Sequence, residues 1–154
     1  MVGLLLACLL AAQNSASAQT WALTKAPTNY WQAVASSADG TKILAAVNRG
    51  PIYTSIDSGV SWNVAVAADE IWQGVACSAD GATLVAVASG SPIYTSTNSG
   101  ASWTIGNSPS HSWSAVTASS DGSKLAAAAA DGPIYVSIDS GSNWAPLTNA
   151  PSRI

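Results

Sequence analysis

Phenylalanine is absent from this 154-residue chain and charge is scarce: five Lys plus Arg and eight Asp plus Glu make up 8% of the residues, for a formal net charge of −3. Five cations leave no basic surface to neutralise phosphates, which excludes electrostatic nucleic-acid binding and disfavours anionic membrane surfaces. Low charge beside 48% apolar residues is not the composition of a disordered chain, which combines low hydrophobicity with high net charge. A folded core is expected, and the length suggests one domain. Histidine occurs once, as His111, with no Cys or acid nearby at metal-ligand spacing, so neither a metal site nor a cofactor is expected. Cysteine occurs twice, as Cys8 and Cys77.

The one long apolar run, MVGLLLACLLAA at 1–12, is shorter than the roughly 20 residues a membrane-spanning helix needs. QNSASAQ follows, and Ala16-Ser17-Ala18 supplies the small-x-small pattern of signal-peptidase cleavage. Residues 1–18 are therefore expected to be a signal peptide, with a mature start at Gln19, a secreted or periplasmic destination and no membrane span once the signal is removed. No Lys or Arg precedes the run, and Leu5-Leu6-Ala7-Cys8 offers a second reading as a lipoprotein cleavage site. Cleavage after Ala18 leaves Cys77 without a partner, so no internal disulfide forms and stability must come from packing.

Self-similarity organises the remainder. Trp31, Trp72 and Trp113 are 41 residues apart, as are Trp21, Trp62, Trp103 and Trp144. Asp39-Gly40, Asp80-Gly81 and Asp121-Gly122 keep the same step, and so do Pro51-Ile52-Tyr53, Pro92-Ile93-Tyr94 and Pro133-Ile134-Tyr135. This defines units at 31–71, 72–112 and 113–154, preceded by a partial unit at 19–30 that matches only the end of a repeat. Turn signals fall about every ten residues within a unit, separating segments rich in β-branched, aromatic and small apolar residues. In the first unit the expected strands are WQAVAS (31–36), KILAAV (42–47), PIYTS (51–55) and SWNVAV (61–66). Asp-Gly between the first two is a hairpin signal, because Gly accepts positive φ and Asp bonds to the turn backbone. LAAAAA at 125–130 has helical propensity, but its register with LVAVA at 84–88 assigns it to a strand packed closely on both faces. The expected fold is all-β and β-propeller-like: three four-stranded antiparallel blades of 41 residues plus one extra N-terminal strand.

The segments SIDSGVSW (55–62), STNSGASW (96–103) and SIDSGSNW (137–144) resemble the Asp-box, or BNR repeat, S-x-D-x-G-x-x-W. The corresponding residues are Ser55, Asp57, Gly59 and Trp62, then Ser96, Asn98, Gly100 and Trp103, then Ser137, Asp139, Gly141 and Trp144. The resemblance implies a propeller with each box at the turn between third and fourth strands, and a structural rather than catalytic role for the box. The acid accepts backbone N–H groups across the turn, Gly takes positive φ and Trp folds beneath; Asn98 keeps a carbonyl acceptor without the charge. Proteins of this kind include sialidases, glucan-cleaving glycosidases, sortilin-type receptors and a photosystem II assembly factor, so fold does not decide function.

A glycosidase needs two carboxyl groups flanking the scissile bond. Hairpin turns and boxes account for five of the acids, leaving Asp69, Glu70 and Asp131. Sialidases also grip a carboxylate through clustered arginines, whereas this chain has only Arg49 and Arg153. His111 takes the loop place of Asn29 and Glu70 in the other units and reads as a solvated loop histidine; Cys77, in the slot of Ser36 and Ala118, reads as a small packed residue. Trp31, Trp72 and Trp113 read as packing between blades, or as sugar-stacking platforms. The units differ most in the loops joining them and in the turns between second and third strands, both expected on one propeller face. Tyr30, Arg49, Glu70, His111 and Asp131 are the candidate ligand-binding residues there. The expected function is an exported non-enzymatic binding or scaffolding module with a protein or glycan partner; the alternative is a glycoside hydrolase, or a fragment of one. Three blades are fewer than the four to eight of closed propellers, which points to either a truncated repeat protein or a homo-oligomer closing the ring.

Overall fold

The computed structural model describes residues 22–147; the proposed signal peptide and Trp21 lie outside this range. The described residues are all-β. Their twelve strands form three consecutive antiparallel meanders, each with four strands in sequence order, and the architecture is propeller-like. The first blade is β1 (Trp31–Ser36), β2 (Ile43–Val47), β3 (Gly50–Ser55) and β4 (Asn63–Glu70). The second is β5 (Trp72–Cys77), β6 (Leu84–Ser91), β7 (Tyr94–Ser96) and β8 (Thr104–Ile105), and the third β9 (His111–Ala118), β10 (Leu125–Ala129), β11 (Ile134–Ser137) and β12 (Ala145–Pro146).

The alanine run is a strand. Leu125 to Ala128 pair with β9 on one side and β11 on the other, so ladder bonds and burial override helical propensity. The extra strand expected at 19–30 does not form over residues 22–30. The segment instead lies along the first blade, where the Lys25 amide donates to the Gly59 carbonyl at 3.2 Å. β4 runs four residues beyond its expected end at 66, and β6 extends to Ser91, where Ser89 and Ser91 pair with Ser112 and His111 of β9. The second and third blades thus share a sheet edge.

The core lies between blades. Leu44, Ala46 and Ile52 of the first blade meet Trp72, Leu84, Ala86 and Ala88 of the second; Val85, Val87 and Ile93 of the second meet Trp113, Leu125, Ala127, Ala129 and Trp144 of the third. Strand β6 supplies both clusters by alternation, since successive side chains leave opposite faces. Each first strand has a register shift just after its tryptophan: Trp31/Ala33, Trp72/Gly74 and, opposite Ala128/Ala129, Trp113. Such a bulge re-aims one side chain. It sets the Trp72 indole N–H on the Gly50 carbonyl and the Trp113 indole N–H on the Ser91 carbonyl, each at 2.8 Å. Trp72 and Trp113 are buried and unavailable for sugar stacking. Trp31 is 40% exposed.

Candidate functional site

Backbone hydrogen bonds define two ends of the blade stack. At one, the turn after each second strand is tied to the junction that precedes the first strand: the amides of Asn48, Ser89 and Ala130 donate to the carbonyls of Tyr30, Ile71 and Ser112 at 2.8, 2.9 and 2.7 Å. The Arg49 amide also donates to the Glu70 carbonyl at 3.1 Å. The two variable sets of loops therefore emerge together. At the other end, the amides of Ser58, Ser99 and Ser140 in the corner turns donate to Thr41, Ala82 and Ser123 in the Asp-Gly hairpins at 2.9, 2.9 and 3.1 Å. Ala38 and Ala79 donate to Ala79 and Ser120 of the next blade, each at 2.8 Å.

The five candidate residues all belong to the variable end, in different settings. Tyr30 is 87% exposed. Arg49 is exposed at the tip of its turn with φ of 55°, a left-handed conformation uncommon outside glycine. Asp131 is exposed in the turn before β11. Glu70 and His111 are not the solvated loop residues that their sequence positions suggest. Glu70 closes β4, half-buried, and its carboxylate accepts from the Ser91 hydroxyl at 2.7 Å and the Tyr94 hydroxyl at 3.0 Å. His111 opens β9, half-buried, with Nε2 3.0 Å from the Tyr135 hydroxyl and its ring edge-on to Trp113 at 5.3 Å. The two positions are equivalent: each pairs with the tyrosine 24 residues later, itself edge-on to the blade's first tryptophan. The recurring Tyr in Pro-Ile-Tyr was the available signal; only the tertiary approach of β4 to β7, and of β9 to β11, shows which residue it meets. Burial, then the hydrogen bond and charge of Glu70, pushes the Tyr94 hydroxyl up, so it remains a donor at neutral pH.

The opposite end holds five of the eight acids in turns. In the first corner Asp57 accepts from the Ser61 amide at 2.8 Å and the Ser61 hydroxyl at 2.6 Å, while Ser55 donates to Asp57 at 2.8 Å and accepts the Gly59 amide at 2.9 Å. Asp139 repeats the pattern with Asn143, Ser137 and Gly141; Asn98 likewise accepts from the Ser102 amide and the Ser96 hydroxyl, while its own side-chain amide donates to the Ser102 hydroxyl at 2.8 Å and Ser96 accepts the Gly100 amide. Gly59, Gly100 and Gly141 have φ of 84°, 87° and 90°, as the motif requires. The indole N–H groups of Trp62 and Trp144 donate to the Gly59 and Gly141 carbonyls, each at 3.1 Å; that of Trp103 is buried without a partner. The corner serine, absent from the motif's assigned chemistry, is therefore its hub. Asp-Gly hairpins use the same device, with Ser37, Ser78 and Ser119 donating to Asp39, Asp80 and Asp121 at 2.6, 2.6 and 2.5 Å. Hydroxyl and amide donors hold Asp39, Asp57 and Asp121 down at about 2, and lower Asp80 and Asp139.

Asp69 and Glu70 are consecutive in β4, so their side chains leave opposite faces of the strand. Cys77 is half-buried, and burial, then the nearby Asp80 charge, pushes its thiol up, away from the thiolate a nucleophile needs. No group of three or more potential metal ligands occurs among the described residues.

No protein-family model matches this chain, and no curated protein matches it in sequence. Solved structures resemble it in fold. The GH74 enzyme of Niastella koreensis aligns at 24% identity over 80% of this chain and 18% of its own, with a TM-score of 0.63. YCF48 bound to D1 peptide aligns at 19% identity over 80% and 42%, with a TM-score of 0.65. The computationally designed Ika4 protein aligns at 12% identity over 86% and 81%, with a TM-score of 0.69. The chain thus spans less than half of the GH74 and YCF48 chains that it resembles.

Proposed function

We propose that this chain is an exported, non-enzymatic binding or scaffolding module built from Asp-box propeller blades, whose protein or glycan ligand meets the end that carries Tyr30, Arg49, Glu70, His111 and Asp131. The observation that supports this reading best is the contrast between frame and side chains at that end. The turn-to-junction hydrogen bonds recur in all three blades, while the groups mounted on them are phenol, guanidinium, carboxylate and imidazole. A fixed backbone displaying varied polar groups beside aromatic rings is the arrangement of a recognition surface.

Against an enzyme stands the use of the acids. Asp39, Asp57, Asp80, Asp121 and Asp139 are engaged in turns at the far end. Glu70 is held by two hydroxyls, and Asp69 leaves the opposite face of its strand. The likeness to the GH74 enzyme rests on a small part of that protein, and YCF48 is a similar fold whose structure holds a peptide.

The test is a binding screen of the folded chain against a glycan array and a peptide array, followed by titration of the best ligand. Replacing exposed Tyr30, Arg49 and Asp131 together by Ala is expected to weaken binding at least tenfold while leaving the melting temperature within about 2 °C. Unchanged affinity for every ligand found would overturn the site. Hydrolysis of a polysaccharide, abolished by Asp69→Asn, Glu70→Gln or Asp131→Asn, would overturn the non-enzymatic reading.

A further inference from the structure

The blade stack ends in two unlike faces. One side of each blade carries the first-strand tryptophan and Leu or Ile at the start of the second strand. In the second and third blades this side is buried against the blade before: Trp72 and Leu84 on the first blade, Trp113 and Leu125 on the second. The first blade's equivalents, Trp31 and Ile43, have no blade before them in the described chain, and with Val34 and Trp62 they line an open apolar groove of about 520 Å³. Val34 is 70% exposed. The other side of each blade carries the isoleucine of Pro-Ile-Tyr. Ile52 and Ile93 are fully buried against the next blade, whereas Ile134 of the third is 40% exposed.

We infer that these faces pair between two copies of this chain, the Ile134 face of one against the Trp31 face of the other, in the register by which blades stack within one chain. Three further sites match that register. Trp72 and Trp113 donate to carbonyls 22 residues earlier, Gly50 and Ser91; one further 41-residue step after Ser91 is Gly132, the acceptor this register offers to Trp31 of the second copy. Lys42 packs where a Cβ on Gly81 would go and Thr83 does so at Gly122, while the equivalent space at Gly40 is empty; Lys124 follows in that series. Thr54 and Thr95 lie against Gly100 and Gly141 in the same way, and Val136, of nearly the same shape, is next, facing Gly59. In the single chain Thr24 fills that socket, a local substitute that a second copy would displace. Both contacts of such a pair are the same heterologous interface, and closing them gives six blades, within the four to eight of closed propellers.

Sedimentation of the folded chain over a range of concentrations is the primary test, with a discrete species of twice the chain's mass expected. Because the interface joins unlike faces, Val34→Arg and Ile134→Arg, both at exposed positions, should each halve the mass when present in every copy. Mixing the two variants should restore a species of double mass, since the intact Ile134 face of the first meets the intact Val34 face of the second. A wild-type monomer at 100 μM, open polymers whose mass keeps growing, or an Ile134→Arg variant that remains dimeric would overturn the inference. The last result would mean that two Trp31 faces meet instead.

Discussion

One serine hydroxyl organises each corner turn, donating to the Asp or Asn two residues on and accepting the glycine amide four residues on. In the third blade Ser137 does both at 2.8 and 2.9 Å while itself buried. Ser137→Ala leaves a buried amide without its acceptor, a change that costs about 1–3 kcal/mol, and chemical denaturation should read that loss. Asn98 occupies the acid's place in the second corner. Asn98→Asp converts its accepted bonds to charge-assisted ones and should stabilise the fold by up to about 1 kcal/mol, seen as a raised melting temperature at pH 7. The acids also set a pH response. Asp39, Asp57 and Asp121 titrate at about 2 in the fold against about 3.9 in an unfolded chain. Folding therefore favours their ionised form, so this stability is complete above about pH 4 and is lost as pH falls towards 2. Melting temperature should be flat from pH 7 to 5 and decline below 4, and Asn98→Asp should steepen that decline.

Among the elements, β10 shows most plainly how neighbours decide conformation. Its alternate alanines, Ala127 and Ala129, are buried in one cluster with Trp113, Val85 and Val87. Ala127→Leu should overpack the interface and cost about 1–3 kcal/mol. Trp72→Ala, which removes a buried indole and its bond to Gly50, should cost about 3–5 kcal/mol. Both losses are measurable as shifted denaturation midpoints. Strand identity was legible in the sequence because hydrophobic segments and turn residues alternate at a fixed step. Strand ends were less so. β4 and β6 run on at the variable end because partners wait there, Gly50 opposite Glu70 and Ser112 opposite Ser89, and such partners are invisible to a local reading. The same blindness made Glu70 and His111 look like loop residues.

At the scale of the whole molecule, a repeat stack buries each blade on its neighbours and leaves its first and last faces to be covered. If the two faces meet between copies, dilution should lower the melting temperature, because association stabilises by mass action; a concentration-independent transition is expected for a chain that folds alone. The period, the all-β class and the turn chemistry were determined by sequence alone, because each depends on residues near one another along the chain. What only tertiary structure decided is which tryptophans are spent on packing, which acid and imidazole meet a tyrosine, and which faces remain open. Those depend on contacts between residues a blade apart, where chemically equivalent copies acquire different surroundings from their place in the stack.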